Sequence, residues 1–191
     1  YPYKELVEEN GRRDFLEPEY ELLDTGVFDG DRYFDCFFEY AKAGQSDILC
    51  KVTVCNRGPD DAPLHLLPNI WFRNTWAWGY DSGPMGDVPL RPSMKAAEGP
   101  EGVSTVECDH EALGKMHFYA KGGPDLLFTE NETNNQLLFD LPNRHPYVKD
   151  AFHHYLIKEE ANVVNPKRVG TKAAAHYKLT VPAGGEETIW I

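Results

Sequence analysis

A chain of 191 residues with 31 Asp and Glu against 19 Lys and Arg has a formal charge of −12, which argues against nucleic acid or an anionic membrane as partner, since both call for a basic surface. Hydrophobic residues at 41% and charged residues at 26% are ordinary for one globular domain long enough to bury its own core. Sixteen glycines and fourteen prolines imply many turns, and no apolar run approaches the roughly 20 residues of a membrane helix.

The opening "YPYKELVEENGRRDF" predicts a short helix, with Pro2 at its start, Leu6 and Val7 on its apolar face and Asn10–Gly11 as its stop. The chain begins with Tyr1 rather than Met and shows no signal peptide. It therefore reads as an excerpt or a processed form. Next comes an acidic stretch, Asp24, Asp29, Asp31 and Asp35. Its "DTG" is shared with aspartic-protease loops, but those enzymes need two such loops, and a turn whose Asp side chains cap backbone N–H groups is the simpler expectation.

Phe34, Cys36, Phe38 and Tyr40 alternate along one strand face, and Ile48, Cys50, Val52 and Val54 along another. Joined through "AGQSD", they predict a β-hairpin. Cys36 and Cys50 are expected to be buried free thiols. None of the four cysteines forms a C-x-x-C pair, so zinc is not expected, and a reducing, cytoplasmic setting follows from the free thiols.

Leu64–Trp78 reads as a third strand, interrupted at Pro68, which cannot donate to a ladder. In a strand, Trp76 and Trp78 share a side with Phe72 and Asn74, while Trp71 joins Arg73 and Thr75. Three of the four tryptophans lie here, with Arg73, Asn74 and Asp81 nearby. Three readings stay open: core packing, a wall against another domain, or direct sugar contact, with aromatic rings on the apolar face of a pyranose and Arg, Asn and Asp on its hydroxyls. The Pro- and Gly-rich span Gly79–Gly102 is expected to be a long loop. Strands are predicted at Val103–Cys108, Lys115–Ala120 and Asp125–Phe128.

"FTENETNNQ" offers Glu130, Asn131, Glu132 and Asn134, whose amides and carboxylates suit a hydroxyl-rich ligand. Asn131-Glu132-Thr133 is also a glycosylation sequon, relevant only to a secreted protein. "HPYVKDAFHHYLI" predicts a helix entered at Pro146. Seven histidines are scattered. Asp150 and His154 could share a helix face, but no H-E-x-x-H occurs and no metal site is expected. Neither G-x-S-x-G nor a phosphate-cradling glycine loop occurs. Alternation resumes from Lys172 to Val181, "PAGGEE" turns, and "TIWI" closes. The sum predicts one mainly antiparallel β-sandwich domain over residues 1–191 with one or two short helices.

Five ordered stretches, "PEYELLDTGVFDGDRYFDCFFEYAKA", "NRGPDDAPLHLLPNIWFRNTWAWG", "FTENETNNQ", "KDAFHHYLI" and "NPKRVGTKAAAHYKLTVPAGG", resemble the N-terminal part of large bacterial glucosidase-like proteins similar to glycoside hydrolase family 63, the processing α-glucosidases. Cys36, Cys50 and Cys55 depart from the aliphatic or small residues expected there. The resemblance implies an N-terminal β super-sandwich that supports a downstream (α/α)6 barrel holding both catalytic carboxylates of an inverting enzyme. It implies no catalytic residue, cofactor or metal in this chain, and an α-glucoside or related oligosaccharide as ligand. The alternative is a free-standing carbohydrate-binding or mutarotase-like module. The candidates for sugar or domain contact are Trp71, Arg73, Asn74, Trp76, Trp78, Asp81, Glu130, Asn131, Glu132 and Asn134.

Overall fold

The two alternating runs pair as a hairpin in the computed structural model, which describes residues 1–77 and 91–191. Strand β1 (Phe34–Gly44) runs antiparallel to β2 (Asp47–Asn56), with Phe38 opposite Val52 and Tyr40 opposite Cys50. Directly opposed residues share a face, so the predicted apolar side forms. Val52 and Val54 are fully buried, yet Phe38, Tyr40 and Ile48 stay exposed. Cys36 is also exposed and Cys50 half-buried, against the expectation of two buried thiols. The reason is position: β1 is the edge of the sheet β1-β2-β11, where β11 is Glu186–Trp190, and burial concentrates on the inner strand β2. Cys108, by contrast, is buried.

The described residues fall into two compact units, Tyr1–Leu64 with Leu179–Thr188, and His65–Lys178 with Ile189–Ile191. In the first unit the predicted opening helix is α1 (Tyr3–Arg12). It buries none of its residues, so Leu6 and Val7 do not form a core face. The acidic stretch is a pair of 3₁₀ turns, Leu22–Thr25 and Asp29–Asp31, the first closed by a reciprocal capping pair of Glu21 and Asp24. Buried Asn56 organises the end of β2. Its Nδ2 donates to Asp60 O (2.8 Å) and Val181 O (3.0 Å), and its Oδ1 accepts from Gly58 N (2.9 Å). Every polar atom of that side chain is therefore satisfied, as burial demands.

The second unit holds the sheet β7-β6-β5-β9, formed by β5 (Ser93–Ala97), β6 (Val103–His110), β7 (Gly114–Lys121) and β9 (Val169–Gly170). β6 and β7 match the predicted strands. β5 corrects the expectation of an unbroken loop to Gly102: Met94 and Ala96 pair with Cys108 and Val106, and Met94 is buried. The predicted third strand is also corrected. It splits into β3 (Ala62–Leu66) and β4 (Asn69–Trp71), parting around Pro68 as that residue's missing N–H requires. It ends at Trp71, because Thr75 N bonds back to Arg73 O (2.9 Å) and Ala77 N to Asn74 Oδ1 (3.1 Å), so residues 73–77 turn.

Strand β10 (Lys172–Val181) pairs with β4 over Lys172–Ala174, with β8 (Asp125–Thr129) over Lys172–His176, and with β3. Ala173, Ala174 and Ala175 have no exposed surface, and their small side chains let neighbours approach closely. On one face Ala174 and Leu127 form a core with Phe152 and Val164, against which Leu67, Tyr155 and Val163 pack. Phe152 comes from α3 (Ala151–Ile157), shorter than the helix expected from Pro146. A further helix, α2 (Asn135–Phe139), is capped by Asn134, whose Oδ1 accepts from Leu137 N at 3.1 Å. The fold is mainly β, of the antiparallel β-sandwich class with few short helices. No helix among the described residues is long and apolar enough to cross a membrane.

Candidate functional site

The segment after β8, "ENETN" (130–134), is held from several directions by backbone bonds. Glu130 N donates to Tyr147 O (2.9 Å), and Lys149 N donates to Glu132 O (3.0 Å). Asn131 ties it to the tryptophan-bearing turn: its Nδ2 donates to Phe72 O (2.8 Å), while its carbonyl accepts from Asn74 Nδ2 (2.9 Å). Asn131 N donates to the Thr171 hydroxyl (2.8 Å), which donates in turn to Glu130 Oε2 (2.7 Å). An amide and a hydroxyl thus fix two stretches far apart in sequence, using the directional bonding that these side chains offer.

Side chains converge on Glu132, which is 7% exposed. Trp76 Nε1 donates to its Oε1 at 3.1 Å. Arg91 Nη2 lies 2.6 Å from Glu130 Oε2 and 3.5 Å from Glu132 Oε1. Arg91 Nη1 lies 3.1 Å from His145 Nε2, and that nitrogen is 3.6 Å from Glu132 Oε1. The Arg91 guanidinium also sits 5.9 Å from the Trp76 ring centroid, within cation–π range. One guanidinium is shared by two carboxylates, and the hydrogen bonds from Trp76 and Thr171 help to satisfy the low-exposure charge.

The chemistry this permits follows from what lies between the carboxylates. An inverting glycosidase leaves room between its acid and its base for a sugar and a water. Here one guanidinium nitrogen contacts both carboxylates, so that room is filled. The cluster is a clasp rather than an acid–base pair. Arg91 and the Asn74–Ala77 turn flank residues 78–90, and the clasp grips both flanks.

Of the sequence candidates, Asn74, Trp76, Glu130, Asn131 and Glu132 come together in this network. Asn134 stands beside it, capping α2 and donating to Asp150 Oδ2 at 3.0 Å. Trp71 is separate: it lies on β4 opposite Lys172 and is 59% exposed. Arg73 is exposed as well. Trp78 and Asp81 lie outside the described residues. Arg91, His145 and Thr171 were not among the candidates. Arg91 and His145 stand in Pro-containing segments without periodicity, and nothing in the sequence links them to Glu132. Asp150 and His154 take different partners, Asn134 and Glu160. No group of three metal-binding side chains occurs among the described residues.

No family model matches the chain, and no solved structure matches it. An uncharacterized protein of Saccharomyces cerevisiae is 35% identical over an alignment of 221 residues that takes in 99% of this chain. The chain spans 20% of that relative's length, so the similarity holds for one portion of a much longer polypeptide.

Proposed function

We propose that this chain is a non-catalytic β-domain of a larger, inverting α-glucosidase-type glycoside hydrolase, whose bond-breaking carboxylates belong to a downstream (α/α)6 domain. The observation that carries this reading is Arg91 filling the space between Glu130 and Glu132, which turns the best carboxylate pair into a structural clasp. The relative's length and the ordered motif resemblance support a larger assembly. The clasp steadies the tryptophan-bearing turn so that neighbouring residues can meet a hydroxyl-rich α-glucoside or the adjoining domain. Exposed Trp71 and Arg73 favour a surface of that kind. Four free thiols, one of them exposed, suit a reducing, cytoplasmic setting. A second reading, a free-standing carbohydrate-binding module, draws on the same exposed indole.

The test compares this chain alone with a longer polypeptide that continues beyond it. The longer protein is expected to hydrolyse α-linked glucosides and release the β-anomer, read by NMR, while the chain alone shows no turnover. Enzymatic turnover by the chain alone overturns the reading. Heat on calorimetric titration of the chain alone with glucose or α-linked disaccharides favours the binding-module alternative.

A further inference from the structure

Beside α3, a cavity of about 260 Å³ opens, with Leu67, Phe152, Leu156 and Ile157 as its apolar walls and Lys149 and Lys172 as its charged groups. It lies in the second unit and does not include the Glu132 clasp. Its size is slightly below that of sites for drug-sized ligands, which sets the scale of what it can hold. Among the described residues no carboxylate lines it, although the chain carries 31 acidic residues against 19 basic ones. A lining of one charge sign in a protein of the opposite net sign calls for an explanation.

Lys172 supplies the detail. Its Nζ donates to Lys149 O at 2.8 Å and lies 4.9 Å from the Phe152 ring centroid. An ammonium has three donors, and these contacts use one of them together with an aromatic face. No ion pair forms at Lys172 among the described residues, so its half-buried ammonium is without a direct counter-charge. Burial, then Lys149, pushes the Lys172 amine below its ordinary range, while Asp150 acts in the opposite sense. Lys149 Nζ bonds the Thr133 hydroxyl at 3.2 Å and remains otherwise open to solvent. Trp71 stands opposite Lys172 in the β4–β10 register, on the same face and 59% exposed. A flat apolar surface thus adjoins the lysine.

We propose that this cavity binds a small organic monoanion, a carboxylate on an aliphatic body of about six carbons, with the carboxylate on Lys172 and Lys149 and the body against Phe152 and Leu156. The carboxylate supplies the counter-charge and hydrogen-bond acceptors that Lys172 lacks, and the hydrocarbon covers the apolar wall. This site is independent of the glycosidase reading.

The test is calorimetric titration of the chain with hexanoate, hexanol and hexylammonium. Hexanoate is expected to bind at least about tenfold more tightly than hexanol, a difference that charge-assisted bonds supply, and hexylammonium is expected not to bind. Lys172→Met keeps the apolar stem and removes the charge, so it is expected to bring hexanoate down to the level of hexanol while hexanol binding persists. Lys149→Gln, at an exposed position, serves if Lys172→Met fails to fold, and is expected to weaken hexanoate about threefold or more. Equal affinity for hexanoate and hexanol, or hexanoate affinity unchanged in the folded variant tested, overturns the proposal.

Discussion

Trp76 donates its indole N–H to Glu132 Oε1 at 3.1 Å, and that one bond joins a turn after β4 to a loop after β8. The carboxylate serves Trp76 and Arg91 at once. Its removal leaves an indole N–H and part of a guanidinium without their acceptor, and groups orphaned in this way cost more than the bond itself contributed. Glu132→Ala is therefore expected to destabilise the chain by about 2–3 kcal/mol, read as a lower urea midpoint. Glu132→Gln retains a carbonyl acceptor and is expected to lose about half as much. Equal losses would mean that the retained carbonyl carries nothing and that the charge accounts for the whole effect.

How much of this was legible in the sequence depended on the range over which each feature acts. The β1–β2 hairpin could be read because period-two alternation and a polar turn are local. β10 was legible for the same reason. The split of Leu64–Trp78 was marked only by Pro68; its end at Trp71 depends on the Asn74 side chain bonding Ala77 N, which competes with extended structure. β5 stayed hidden in a segment rich in Pro and Gly, because its strand state comes from pairing with β6. Cys36 shows the limit of face patterns: alternation tells which side a residue takes, not whether its strand is an edge. Within the site, Asn74, Trp76, Glu130, Asn131 and Glu132 stood out as residue types, whereas Arg91 joins them only through tertiary contact.

Gly170 is the tightest point behind the clasp. A Cβ added there would meet Thr129 O at 2.2 Å, and that oxygen already accepts from Thr171 N at 3.1 Å. The obstacle is backbone, which cannot rotate away as a side chain could. Gly170→Ala is expected to cost about 2–3 kcal/mol, more than an ordinary surface change. The shift should also move Thr171, whose hydroxyl links Asn131 to Glu130. Side-chain NMR of Trp76 should therefore register the change together with the loss in melting temperature. A variant as stable as the parent would show that β9 can move without consequence.

Acid should weaken the second unit through His176. This side chain is 3% exposed, with Nε2 2.7 Å from His65 Nδ1 and Nδ1 unpartnered. Burial, then His65 and Lys178, pushes its pKa below the ordinary histidine value, with Asp125 acting in the opposite sense. Tyr155 packs its ring edge-on and brings no charge. The unfolded chain thus takes up a proton that the folded chain resists, and stability falls as pH drops below about 6.5. Melting temperatures measured from pH 7.5 to 5 should decline, and His176→Leu should flatten that part of the slope. An unchanged slope in the variant would assign the acid sensitivity to other groups.

Trp71 separates a surface role from a packing role. At 59% exposure it contributes little to the fold of the chain itself, so Trp71→Ala is expected to change the stability of the chain by less than about 1 kcal/mol. In a longer protein that carries this domain, the same substitution should register elsewhere. A raised KM with kcat retained means that the indole contacts substrate, since uniform binding has been lost. Weakened association between this domain and the rest of the polypeptide, read by limited proteolysis, means that it forms an interface. If Trp71→Ala instead unfolds the isolated chain, the indole is a packing residue, and the surface reading of this strand fails.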